Sequence, residues 1–313
     1  MNPIILLIAG LVVLIIGGEG LVRGASSIAL RVKISPMVVG LTIVAFGTSA
    51  PELLVSVNAA LSGSPDISMG NVVGSNIANL GLVLGLTAVI SPIMITPSTL
   101  KVDWPMTMGT SLLLFLLALN TKIGLIEGLI FISILTIYTT WTIRKSRKAT
   151  KALEGETIEE MPVSKSIALD ILWIALGVTG LYFGSDWFVS GAVTLAKTWG
   201  ISERVIGVTV IAVGTSLPEL VTSVIAAIKK ETDIAVGNLL GSNIFNILSI
   251  LGITSLISEI NISPQFISYD MIWMLGITAI LLPMMLLKRD INRIEGAILL
   301  IIYSVYTYLV VIA

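Results

Sequence analysis

Runs of some twenty apolar residues, separated by short breaks, recur along the whole chain, beginning with PIILLIAGLVVLIIGG at residues 3–18. About 20 such residues cross the hydrocarbon core of a bilayer as helix. Lipid offers no water to backbone N–H and C=O groups, so each run has to satisfy them internally. Only 12% of the residues are charged and the mean hydropathy is +1.02, against about 25% charged in a soluble domain. The expected fold class is therefore all-α, a polytopic membrane protein. No basic residue precedes the first run, whereas a cleaved signal peptide starts positively charged. That run is expected to remain as the first helix.

Setting the runs against their breaks predicts ten helices, near 3–28, 37–62, 68–90, 103–119, 123–143, 167–197, 204–228, 234–258, 267–287 and 291–312. The one long polar stretch, residues 144–166, reads as a solvated linker too short to fold as a domain. Cytoplasmic loops of membrane proteins carry an excess of Lys and Arg. With both termini outside, fifteen of the 18 basic residues fall on the cytoplasmic side, leaving Lys122, Lys197 and Arg204 opposite.

The chain repeats itself at an offset of 167 residues. VAFGTSAPEL (44–53) returns as IAVGTSLPEL (211–220), and GNVVGSNIANLG (70–81) as GNLLGSNIFNIL (237–248). About half the positions of 40–81 and 207–248 are identical without a gap, and Gly17, Glu19 and Gly24 align with Gly184, Asp186 and Gly191. Two repeats are expected, 1–143 and 167–313. Each holds five spans, an odd number, so they must insert in opposite orientations. Inverted repeats of this kind are a transporter signature, with the site near the midplane between them.

The repeated words place costly residues in mid-span. Pro51 has no N–H, so the Gly47 carbonyl loses its helical partner, and freed groups in hydrocarbon need polar company. Thr48 and Glu52, four apart, share a helix face, with Ser49 alongside. A proline kink beside a hydroxyl is common in membrane helices and need carry no function. A mid-span acid costs roughly 2.5–3.5 kcal/mol to insert, and Glu52 recurs as Glu219. Ser75 and Asn79, like Ser242 and Asn246, lie four apart on one face. Gly70, Gly74, Gly237 and Gly241 form GxxxG faces suited to close helix packing. Asn71, Asn76, Asn238 and Asn243 are expected to bond backbone at helix starts and breaks, outside the site. Glu19, with Arg23 one turn on, and Asp186 suggest interfacial ion pairing.

The chain has no cysteine and no histidine, which removes thiolate chemistry, disulfides and His-ligated metals. What remains is an all-oxygen inventory suited to hard cations. Two glutamates would neutralise one Ca²⁺, which takes 6–8 oxygens, and the same oxygens in smaller cages could hold Na⁺. An intramembrane protease lacks its histidine, and a channel fits a closed two-carboxylate cage poorly. The expectation is a non-enzyme without cofactor. It would meet Ca²⁺, Na⁺ and the lipid bilayer, with no nucleic acid and no obligatory protein partner.

At these two words the sequence resembles the prokaryotic sodium/calcium exchangers of the cation/Ca²⁺ antiporter superfamily. The resemblance covers essentially the whole chain and implies Na⁺ influx driving Ca²⁺ extrusion by alternating access, the first and sixth helices sliding past the rest. It implies a calcium site at Thr48, Glu52, Thr215 and Glu219. The same four residues join Ala45, Ser49, Ser75, Ala212, Ser216 and Ser242 in the sodium sites, and a central site combines Asn79 and Asn246 with the two glutamates. Some members, including potassium-dependent exchangers, carry Asp where this chain has Asn246. The proton/calcium branch has GNxxEH in place of GNxxGS; this chain has Gly74 and Ser75 there. A proton-driven cation exchanger is the rival within transporters, because a buried glutamate can carry H⁺ in place of Na⁺.

Overall fold

A computed structural model describes residues 2–65, 67–152, 166–200 and 212–312. Helices occupy each of the ten expected stretches within them. We number these α1 (Pro3–Arg31), α2 (Pro36–Thr48), α3 (Ala50–Leu61), α4 (Ile67–Ile90), α5 (Trp104–Ala118), α6 (Leu125–Ala152), α7 (Ile167–Thr198), α8 (Ala212–Thr215), α9 (Leu217–Ile228), α10 (Thr232–Ile257), α11 (Phe266–Lys288) and α12 (Arg293–Ile312). Seven are long and apolar enough to cross a bilayer, eight when α2 and α3, bent by 46°, count as one broken span. The expected seventh span begins at 204, outside the described residues, and only its part from Ala212 is seen. The fifth ends later than expected. Helix α6 continues nine residues past 143, through the basic stretch into the start of the linker, because RKSRKATKA contains neither Gly nor Pro to stop it.

The 167-residue offset recurs in local geometry. A π turn at Asn79–Val83 within α4 returns at Asn246–Leu251 within α10. Another, Thr99–Asp103 before α5, returns at Phe266–Asp270 at the start of α11. Two short antiparallel strand pairs obey it too. Strand β1 (Ile93–Met94) pairs with β4 (Asp290–Ile291), and β3 (Ile260–Asn261), which repeats β1, pairs with β2 (Lys122–Ile123). Each pair therefore joins one loop from each half.

Burial separates the helices by role. The most apolar 18-residue windows of α4 and α10 are 72% and 83% buried, whereas those of the other long spans are 17–39% buried. Their apolar faces, with Met69, Ile77, Leu80, Ile244, Ile247 and Leu248, form the larger core. Polar side chains on these two helices are thereby shielded from lipid, which makes them tolerable there. Helices α1 and α7 pack along each other at the periphery of this core. Their backbones meet at glycines: a Cβ on Gly17 would stand 2.7 Å from Leu181 N, and one on Gly177 2.5 Å from Leu21 N. Gly237 and Gly241 likewise face Gly40, Leu41 and Ala45 across a close crossing. A Cβ on Gly70 would stand 3.3 Å from the Phe266 ring.

Candidate ion site

The site is built at two helix breaks. Helix α2 ends at Thr48 and α3 restarts at Ala50, with Ser49 between them at φ −84°, ψ 5°. Ser216 holds the same conformation, φ −88°, ψ 4°, between α8 and α9. Each proline stands in the first turn of the restarted helix, a position that tolerates its missing N–H, while the carbonyl four residues earlier loses its helical partner. The same first turns carry Glu52 and Glu219. A helix N-terminus favours negative charge, so the break supplies freed backbone and a favourable seat for a carboxylate together.

These residues face inward. Glu52 is 1% exposed and Glu219 0%, and the two carboxylates lie within electrostatic reach of each other. Ser49 Oγ donates to Glu219 Oε1 across the repeat boundary at 3.1 Å. Thr48 Oγ1 donates to Asn238 Oδ1 at 3.0 Å and stands 3.3 Å from Ser242 Oγ; both hydroxyls also interact with Glu219. The Ala45 carbonyl is not left open, since it accepts from Ser49 N at 3.0 Å. Ser75, Asn79, Ser216 and Asn246 are buried. Thr215 is half-buried. Ala212 is described only as the first residue of α8, and its side chain lies outside the described residues.

The four asparagines expected to stay outside the site do bond backbone, but they form its frame. Asn71 Nδ2 donates to the Glu52 carbonyl at 3.0 Å and to Ser56 Oγ at 2.9 Å. Asn238 does the same for Glu219 and Ser223, at 3.5 and 3.0 Å. Asn76 and Asn243 each donate to the other's carbonyl at 3.2 Å. Their side-chain oxygens then accept from Asn246 and Asn79, both at 3.1 Å. These bonds fix the two amides by their nitrogens, and the side-chain oxygens of Asn79 and Asn246 have no partner. The signal for this frame was present in the sequence. All four asparagines obey the 167-residue offset, as Glu52 and Glu219 do.

Glu52 Oε2, Glu219 Oε2 and Ser216 Oγ are also buried without a partner. A buried, unpaired carboxylate oxygen carries a large desolvation penalty, and the ion pairs Arg31–Asp170, Lys122–Glu259 and Lys229–Glu19 lie elsewhere. The arrangement suits a small hard cation surrounded by oxygen. Glu19 takes part in that surface pairing, though with Lys229 rather than Arg23, which stacks over Trp173 at 5.0 Å. Asp186 is exposed.

Comparison with known proteins identifies the family. Residues 2–144 and 169–312 match the model of the sodium/calcium exchanger protein family. The chain is 41% identical to the putative antiporter CaxA of Alkalimonas amylolytica, over 97% of each protein. It is 33% identical to the sodium/calcium exchanger MaX1 of Methanosarcina acetivorans, over 96% of each. A solved structure of the sodium-calcium exchanger NCX_Mj superposes with a TM-score of 0.82 at 30% identity, covering 97% of this chain and 98% of that one. The chain belongs to the sodium/calcium exchanger family, within the cation/Ca²⁺ antiporter superfamily.

Proposed function

We propose that the protein exchanges Na⁺ for Ca²⁺ by alternating access. The observation that carries this reading is the pair of unpartnered carboxylate oxygens, Glu52 Oε2 and Glu219 Oε2, buried beside the hydroxyls of two helix breaks. Ca²⁺ is bound by Thr48, Glu52, Thr215 and Glu219. Na⁺ takes the same four residues with Ala45, Ser49, Ser75, Ala212, Ser216 and Ser242. Because the carboxylates are shared, one ion species must leave before the other enters. The Asn79 and Asn246 amide oxygens complete a central position between the glutamates. Helices α1 and α7, which meet backbone to backbone along a seam of glycines, move as a pair. Both termini face outward and the 144–166 linker faces the cytoplasm of the cell membrane.

Two experiments test this. Uptake of ⁴⁵Ca²⁺ into proteoliposomes should follow an imposed Na⁺ gradient, need no K⁺, and be inhibited at low pH as protons compete for the glutamates. Full-rate uptake driven by a pH gradient without Na⁺ would establish the proton-coupled alternative instead. For orientation, cysteines at the exposed positions Lys148 and Asn120 should label from opposite faces, Lys148→Cys from the cytoplasm. The native chain has no cysteine to interfere.

A further inference from the structure

The 167-residue offset also relates two aspartates away from the helix breaks. Asp103 closes the π turn before α5, and Asp270 closes its repeat in α11. Each accepts from a tyrosine of the last helix in its own half. Tyr306 Oη meets Asp270 Oδ1 at 2.8 Å, whereas Tyr138 Oη reaches Asp103 Oδ1 only at 3.5 Å. Asp270 is half-buried; Asp103 is 1% exposed and its Oδ2 has no partner. A buried carboxylate oxygen left in that condition calls for an explanation.

The surroundings of Asp103 supply one. It lines a cavity of about 340 Å³, shared with Asp233 at the start of α10, Thr142 and Lys145 of α6, and Ser35 before α2. Asp233 and Lys145 both act electrostatically on Asp103. Lys145 does not neutralise the pair by contact. Its Nζ stands over the Trp141 ring at 4.8 Å, and no ion pair among the described residues joins it to either aspartate. Asp233 repeats Asp66 at the same offset, so both acids of the cavity are doubled in the chain. Among the described residues, none that line the cavity come from α1 or α7, which separates it from the pair proposed to move.

We propose that Asp103 and Asp233, with the Thr142 hydroxyl, form a second cation site for a hard divalent ion such as Ca²⁺, apart from the transport site. Two carboxylates balance its charge, and the cavity has room for waters to fill the remaining positions of a flexible oxygen shell. On the proposed orientation this site faces the cytoplasm. Five residues beyond Asp233, the same helix carries Asn238, which holds Thr48. An ion bridging α5 and α10 would therefore stiffen the frame of the transport site.

The test uses the full chain with Glu52→Gln and Glu219→Gln, so that the transport site no longer competes for the probe. Tb³⁺ titrated into this protein should give saturable luminescence sensitised by Trp141 on the cavity wall, displaced by Ca²⁺ but not by equal Na⁺. Adding Asp103→Asn or Asp233→Asn should weaken Tb³⁺ binding about tenfold or more. Thr142→Val, which leaves both charges in place, should weaken it less while the protein elutes as the parent does. An Asp103→Asn protein that titrates like its parent, or displacement by Na⁺ as effective as by Ca²⁺, would overturn the proposal. So would the absence of any saturable signal.

Discussion

At Gly47–Glu52 and at Gly214–Glu219 the chain reads Gly-Thr-Ser-x-Pro-Glu, and Ser49 and Ser216 adopt the same backbone angles. Their surroundings differ. The Gly214 carbonyl, freed because residue 218 is proline, accepts from Ser185 Oγ of α7 at 2.8 Å. The residue that repeats Ser185 in α1 is Gly18, which has no hydroxyl to offer the Gly47 carbonyl. The space beside Gly47 is taken by Val178 of α7 and Leu21 of α1, and that beside Gly214 by Val189 of α7. On the proposed alternating-access reading, with the two halves inverted, a single conformation that opens to one side only has to be unequal in this way. Alternation then consists of the two halves exchanging environments. Matching residues in the two halves should therefore be equal in what they ligate and unequal in how they are held.

The largest expected effect tests the equality. Glu52→Gln and Glu219→Gln each leave a divalent ion facing one carboxylate in a dry site. Breaking a buried charge pair costs about 3–5 kcal/mol, so Ca²⁺ exchange should fall by about a hundredfold or more in both. The measurement is Na⁺-driven ⁴⁵Ca²⁺ flux with the folded state checked by gel filtration. Near-normal flux in one variant alone would mean that the halves do not share one ion.

The frame should be less equal. Asn71 holds the Glu52 carbonyl and Ser56, whereas Asn238 holds Glu219 and Ser223 and also accepts from Thr48. Each hydrogen bond contributes about 0.5–1.5 kcal/mol. Asn238→Ala should then raise the apparent KM for Ca²⁺ about tenfold, and Asn71→Ala about half as much on a logarithmic scale. Equal effects would mean that the Thr48 contact carries nothing.

These contrasts also mark how far the sequence could be read. Span positions and the inward burial of Glu52, Glu219, Ser75 and Ser242 follow from hydropathy and the offset, because lipid leaves a helix few alternatives. The frame asparagines were visible as repeated residues, yet their role was not. Asn76 and Asn243 act on each other across the two halves, and a periodicity within one helix cannot report a contact between two. The extension of α6 past residue 143 was hidden because hydropathy marks where lipid ends rather than where the helix does. The Asp103–Asp233 cavity joins residues 130 positions apart on different helices, a proximity created only by packing.

Smaller effects test the central position. The oxygens of Asn79 and Asn246 are both unpartnered, so the site carries two formal negative charges, those of Glu52 and Glu219. Asn246→Asp adds a third. It should raise monovalent-cation affinity severalfold, or introduce K⁺ sensitivity, while slowing turnover because a tighter cage releases ions less readily. Asn79→Asp should act alike, since the same asparagine pair braces both amides. Flux measured across a K⁺ series at fixed Na⁺ and Ca²⁺ separates the outcomes, and indifference to K⁺ and Na⁺ in both variants would remove these amides from the ion path.

The smallest expected effect addresses the inequality itself. Ser185 is 7% exposed and spends its one donor on the Gly214 carbonyl, tying α7 to the second break. If α7 moves between the two states, that bond exists in one of them and is lost or exchanged in the other. Ser185→Ala removes about 1 kcal/mol from one state only, so it should shift the balance between them roughly fivefold. The proposed ion ligands themselves stay unchanged. In right-side-out and inside-out vesicles, the apparent Ca²⁺ affinity should accordingly move in opposite directions on the two faces. The reciprocal change, Gly18→Ser, is not a clean control, because a Cβ there would meet Ile225 and Val221 side chains at 2.9 Å. Equal shifts on both faces would mean that the Ser185 bond persists through the cycle, and that the inequality between the halves arises from the packing at Val178, Val189 and Leu21 instead.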